Sequence, residues 1–154
     1  VTQRASISEG LCQWLNGLEL ESKQHTAMML LTVTEDLWPH TAMVSAGEVL
    51  ALTRSTIRIA LWPGTVTTGN ILRSGQATLV AIHEGAAHYV RLALRALPDV
   101  PDARHPRQRF SAEVVAVRED RAKYADILSA VTIRLHDPND VLERWRETLQ
   151  ELRQ

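Results

Sequence analysis

The chain has 154 residues, of which 45% are hydrophobic and 23% charged, with a formal net charge of −1. That length suits one ordinary domain, 1–154, able to close a core without disulfides or metal, and the composition excludes an intrinsically disordered chain. The near-zero charge offers no field to hold a nucleic-acid backbone or an anionic membrane surface, and apolar runs such as 27–33 and 78–82 are too short to span a bilayer.

A short amphipathic helix opens the chain: Ser6 with Glu9 three residues on has the pattern of a capping box, and Ile7, Leu11, Trp14, Leu15 and Leu18 share a face. Gly17 and the charged stretch 19–23 end it. Strands are predicted over 26–34, 40–45 (opened by Pro39), 48–53 and 56–62, with turns at Glu35-Asp36 and Gly47. In the last of these Ile57, Ile59 and Leu61 share one face and Arg58, Ala60 and Trp62 the other. Residues 65–75 read as a helix with hydroxyls at its start and Gly75 as its stop. Further strands follow at 76–83, 87–97 and 110–118, with a turn at Glu84-Gly85 and a loop marked by Pro98, Pro101 and Pro106. A bent connection over 124–128 leads to a final strand, 130–135. Asp137 caps a closing helix with Pro138 in its first turn and Val141, Leu142, Trp145, Leu149 and Leu152 as its buried stripe. Strands joined by hairpins, except at the one helical crossover near Thr67, favour an α+β, mainly β chain built on an antiparallel barrel.

Residues 1–8 are polar and lack the charged-then-apolar pattern of a signal peptide, and Cys12 has no partner for a disulfide, so the expectation is a soluble cytoplasmic protein. Of the 17 basic residues only Lys23 and Lys123 are lysines, so an anion site would use guanidinium, backbone N–H or hydroxyl groups. The segment 61–70, strand then Pro63-Gly64 then Thr65, Thr67 and Thr68 at a helix start, suits a phosphate, because that end carries free N–H groups and the positive end of the dipole. The same threonines can equally serve as helix caps. Arg58 and Arg54 are candidate anion partners, with Arg91 and Arg95 behind them. Arg104, His105, Arg107 and Arg109 form a basic patch best explained as a solvated loop. His83 and His88 flank a turn, yet no third ligand has metal-site spacing, so no metal is expected. Motifs for nucleophilic or metallo-hydrolytic catalysis are missing from the sequence, and Glu48 and Glu84 form no evident acid/base pair, so a cofactor would have to carry any chemistry.

Between Met29 and Leu97 the sequence resembles the FMN-binding split-barrel family, which includes pyridoxamine 5′-phosphate oxidase. The residues that carry the likeness are Pro39-His40-Thr41-Ala42-Met43-Val44-Ser45, Ile57-Arg58-Ile59-Ala60-Leu61-Trp62 and Gly64-Thr65-Val66-Thr67-Thr68-Gly69-Asn70-Ile71-Leu72. Gln76-Ala77-Thr78-Leu79-Val80 and Tyr89-Val90-Arg91-Leu92-Ala93 continue it. The resemblance implies an antiparallel split β-barrel with flanking helices, paired as a homodimer, with FMN in grooves at the interface. It places His40, Val44, Ser45, Arg58, Leu61, Trp62, Thr65, Thr67, Thr68 and Tyr89 around the cofactor. Thr65 keeps the family's hydroxyl; Val66 and Thr67 stand where the oxidases carry Arg and Lys, and His40 and Ser45 replace a basic pair. The implied activity is an FMN-dependent oxidoreductase or flavin reductase acting on a small-molecule electron donor or substrate. The alternatives are a non-enzymatic binder or sensor of FMN, haem or another planar ligand, and a ligand-free dimer scaffold; nucleic acid and membrane are not expected partners.

Overall fold

The computed structural model describes residues 5–154, so part of the polar start lies outside the described residues. Eight strands, β1 (Thr26–Val33), β2 (Pro39–Ser45), β3 (Val49–Ala51), β4 (Thr56–Leu61), β5 (Gln76–His83), β6 (Ala86–Ala96), β7 (Gln108–Asp120) and β8 (Val131–Thr132), form one antiparallel sheet. Along the sheet the order is β2-β1-β5-β6-β7-β4-β3, with β8 paired to the start of β1. The two ends of that path, β2 and β3, are separated in sequence by residues 46–48 alone. A chain reaches at most about 3.3–3.6 Å per residue, so the two edges must lie close together and the sheet must curl. They do not pair with each other, and the barrel is split at that point.

This corrects the expected connectivity. Besides the helical crossover from β4 to β5, neither the β2–β3 step nor the β7–β8 step is a paired hairpin. The predicted strands at 48–53 and 130–135 shrink to three and two residues, whereas β7 lengthens to thirteen, Gln108–Asp120.

Alternation along the strands divides the sheet into two faces. Met28, Leu30, Leu79, Val90, Ile57, Ile59 and Phe110 point inward and are at most 2% exposed. Helix α1 (Glu9–Trp14) closes the barrel, with Leu11 and the flanking Ile7 and Leu15 fully buried. Six residues are too few for a stable helix alone. Burying each of those side chains contributes roughly 1.5–3 kcal/mol, and that packing is what holds it. The cap is Ser8, whose Oγ accepts from Leu11 N at 3.1 Å, rather than Ser6. Leu18, placed by its spacing on the buried face, is 58% exposed, because Gly17 turns the chain before it. Where a stop was expected, α2 (Leu20–Lys23) forms, and the Lys23 ammonium is buried on Asn16 Oδ1 (3.0 Å) and the Leu18 carbonyl (2.6 Å). Helix α3 (Val66–Ser74) ends at Gly75, whose φ of 68° lies in the left-handed region that glycine tolerates.

A second core lies outside the barrel, under α4 (Pro138–Leu152). Leu142, Trp145, Leu149 and Leu152 pack on Leu50 and Ala60, the outward residues of β3 and β4. Two arginines hold the carbonyl end of α4: Arg58 Nη1 donates to Leu152 O (2.8 Å) and Arg109 Nη1 to Glu151 O (3.2 Å). Guanidinium charge is favourable there, at the negative end of the helix. Among the described residues, no helix is long and apolar enough to cross a membrane.

Candidate functional site

The turn joining β2 to β3 is built by its own side chains. Ser45 N and Oγ both donate to Glu48 Oε1 (3.1 and 2.8 Å), and Gly47 N donates to Ser45 Oγ (3.3 Å). The Trp145 indole lies so close to Gly47 that a Cβ there would sit 2.0 Å from its Cγ. α4 is thereby keyed onto the turn.

Glu48, Trp62, Arg107, Arg144, Trp145 and Thr148 enclose a cavity of about 170 Å³ between this turn and α4. Burial pushes the Glu48 carboxyl above its ordinary range, while the two Ser45 hydrogen bonds and the charge of Arg107 oppose the shift. The Arg107 guanidinium stacks over the Trp62 indole, 3.4 Å from the ring centroid, an arrangement that keeps a planar cation against an aromatic face. Burial and the neighbouring Arg144 work against the charge on Arg107, and Glu48 supports it.

Trp62 also begins the approach to α3. Thr65 caps that helix, its Oγ1 accepting from Thr68 N at 3.1 Å. The Thr68 hydroxyl donates to Trp62 O (2.7 Å) and accepts from Thr65 Oγ1 (3.0 Å). Thr67 is buried, and Val66 is 55% exposed. The threonines therefore build the helix start and fix Trp62 to it, and a ligand there would meet chiefly the amides of the first turn. Nothing lies within 4 Å of a Cβ built on Gly64 or Gly69, so the approach is open.

The remaining candidates separate. Val44 and Leu61 face the barrel core. His40 pairs across the strands with Thr32, which accepts from Asn70 Nδ2 of α3 (3.0 Å). Arg58 is committed to the end of α4, with its Nε buried and lacking a hydrogen-bond partner, and Arg54 Nε donates to Ile7 O (2.8 Å). Tyr89 lies on the outer sheet face beneath Arg118, whose guanidinium carbon is 4.5 Å from the ring centroid. The structure thus gathers Ser45, Trp62, Thr65 and Thr68 along one path through Glu48 and the cavity, and leaves Val44, Leu61, His40, Arg58 and Tyr89 elsewhere.

That outer face presents register rows across several strands. Met43, Met29, Val80, Tyr89 and Arg118 are successive cross-strand partners. Beside the next row runs a groove of about 490 Å³ whose lining includes Leu31, Val33, Pro39, Ala93 and Val115.

The basic patch is not a solvated loop throughout. Arg109 belongs to β7 and is 6% exposed, Arg107 stacks on Trp62, and Arg104 is exposed beside Glu147 (3.3 Å). His83 and His88 do approach, with ring centroids 6.4 Å apart, but no group of three or more His, Cys, Asp or Glu side chains able to hold a metal occurs among the described residues. The grouping of Glu48, Arg107 and Arg144 escaped sequence reasoning, since no local spacing links them.

No protein-family model matches the sequence. Over 147 residues the chain is 52% identical to the uncharacterized protein YclD of Bacillus subtilis (strain 168), covering 96% of each chain. Its fold is similar to that of a Lactobacillus delbrueckii protein named provisionally as a pyridoxamine 5′-phosphate oxidase, with a TM-score of 0.58 and 17% identity, covering 73% of this chain and 93% of that one. A Clostridium acetobutylicum protein described as related to general stress protein 26 of B. subtilis, in the pyridoxinephosphate oxidase family, gives a TM-score of 0.53 at 13% identity, covering 88% and 99%.

Proposed function

Since the chain belongs to the family of B. subtilis YclD and has the split-barrel fold of pyridoxamine 5′-phosphate oxidase-like proteins, we propose that it is a homodimeric flavoprotein that binds FMN at the start of α3. The observation that carries this reading is the unobstructed helix start: Gly64, Gly69 and Val66 leave room at the first-turn amides, and the half-exposed Trp62 leads into them with its carbonyl held by Thr68. A phosphate suits those amides and the helix dipole, and the flavin ring suits Trp62. The residues fit the group through N–H donors and an aromatic wall; the cations of the oxidases are replaced by Val66 and Thr67.

In this reading Ser45, Trp62, Thr65, Thr67 and Thr68 shape the cofactor's surroundings, Val44 and Leu61 support them from the core, and Arg58 holds α4 in place. His40 and Tyr89 belong to surfaces that a second copy would complete. The apolar rows and the groove on the outer sheet face support the dimer, because one face of that sheet is already the core and the other offers Met43 at 59% and Val115 at 58% exposure. A bound flavin would supply hydride or electron transfer, which makes an oxidoreductase or flavin reductase the activity class.

The test is an absorbance spectrum after incubation with FMN and gel filtration. Flavin bands that co-elute with a dimer-sized peak, and are lost in Val66→Glu, are expected; Val66 is chosen because an anion at buried Thr67 would disturb the fold. A colourless protein that releases all FMN refutes the proposal. The missing cations favour a second reading, a binder or sensor without turnover, and tight FMN binding with no oxidation of reduced nicotinamides would select it.

A further inference from the structure

The cavity between α4 and the β2–β3 turn is lined by two arginines and one carboxyl. Arg107 and Arg144 both line it, so two guanidinium groups share one part-buried space. Arg144 Nε is buried with no hydrogen-bond partner; Asp140 Oδ2 is 3.5 Å away, on an exposed side chain. Arg107 gives Nη1 to His105 O (3.2 Å), while its plane is held against Trp62. The lining holds one carboxyl, Glu48, whose Oε1 is taken by Ser45, and no ion pair joins it to either arginine among the described residues. Asp140 pairs with Arg144, and Glu48 and Glu151 favour the charge on Arg107, but the two guanidinium groups still repel each other, and an anion between them would offset that repulsion.

We propose that this cavity binds a tetrahedral oxyanion, a free phosphate or the phosphate of an ester, between Arg107 and Arg144. Guanidinium forks match phosphate oxygens in a way a single ammonium cannot. Trp62 and Trp145 wall the site, and Glu48 sets its pH dependence. When protonated, Glu48 can donate to the anion; when ionised, it repels it. Affinity therefore falls as pH rises through the Glu48 titration. The site does not depend on the flavin reading, which places the FMN phosphate at the start of α3, although the two share Trp62; FMN is therefore tested as a competitor for it.

The full chain is titrated with sulfate at constant ionic strength, at pH 5 and pH 8, by calorimetry and tryptophan fluorescence. Sulfate keeps its charge across that range, so a pH effect reports on the protein. Saturable binding, tighter at pH 5, is expected. Arg144→Gln should weaken it by roughly 10-fold or more, the range for one charge-assisted hydrogen bond, and Arg107→Gln carries the same test if the first variant fails to fold. Glu48→Gln should tighten binding at pH 8 and flatten the pH dependence. Displacement of sulfate by FMN but not riboflavin identifies the flavin phosphate as the source; displacement by inorganic phosphate alone identifies a free ion or another ester. Absence of saturable binding at both pH values, or binding indifferent to both arginine variants, overturns the proposal. FMN retention without competition against sulfate would leave the flavin reading intact and place its phosphate elsewhere.

Discussion

Gly47→Ala is the sharpest probe of how α4 is keyed to the barrel. The φ of Gly47 is not in the left-handed region, so the backbone tolerates alanine; the obstacle is Trp145. The added Cβ would lie 2.0, 2.2 and 2.5 Å from the indole Cγ, Cδ2 and Cδ1. Carbon atoms pack at about 3.5–4.0 Å, so the ring must retreat by more than 1 Å, roughly the difference between those separations. Trp145 is 9% exposed and packed among Leu142, Leu149 and Ala60, so the ring can retreat only toward the cavity it walls, giving up that packing. Overpacking of this kind costs about 1–3 kcal/mol, and expelling the indole would cost about 3–5 kcal/mol. Gly47→Ala should therefore lose roughly 2–4 kcal/mol, read as a lowered urea midpoint at unchanged slope. The decisive measurement is the double-mutant cycle. Trp145→Ala alone should cost about 3–5 kcal/mol, and the double variant no more, because the collision has gone. Additive losses, or a neutral Gly47→Ala, would refute the packing argument.

Three further outcomes follow from the same contacts. Burial raises the Glu48 pKa in the folded state above its unfolded value, so the neutral form is favoured by folding; that stability is complete below the unfolded pKa and is lost as pH rises through the folded one. Glu48→Gln should melt like the parent near pH 4 and above it at pH 8, as followed by circular dichroism. Thr65→Ala removes the α3 cap and should cost about 1 kcal/mol, whereas Thr65→Asp should be near neutral; the difference should appear as roughly 2–4 °C in Tm. Met43→Lys places a charge on the outer sheet face without entering the core, so the chain should sediment as a folded monomer; a persistent dimer would mean that another face pairs.

What the sequence disclosed was what local chemistry decides. Asp137, Pro138 and the stripe from Leu142 to Leu152 mark α4 because capping and a 3.6-residue period act within a few residues. Thr65 and Gly75 bound α3 for the same reason. The alternation in β4 was legible, but not that α4 would cover Ala60 on its second face. The cap of α1 slipped from Ser6 to Ser8 because both serines precede an apolar run, and burial of Ile7 and Leu15 decides between them. The shortening of β3 to Val49–Ala51 was hidden, since its residues alternate well enough for a longer strand while partners exist for three.

The cavity could not be read in advance, because its charges come from three distant segments and its geometry comes from barrel closure. β2 and β3 are the ends of the sheet path, and the three residues between them pull those ends together. Closure sets the turn at the split, and Gly47, lacking a side chain, lets Trp145 settle over it. With Trp145 comes the rest of its helix, which sets Arg144 and Thr148 opposite Glu48, and the start of β7 brings Arg107 onto Trp62. The packing that closes the split is thus what assembles the charged site. A substitution that loosens α4 without touching a charge, as Gly47→Ala does, should therefore abolish sulfate binding together with the helix packing. Retention of binding by such a variant would mean that Arg107 and Arg144 do not act from the positions the closed barrel gives them.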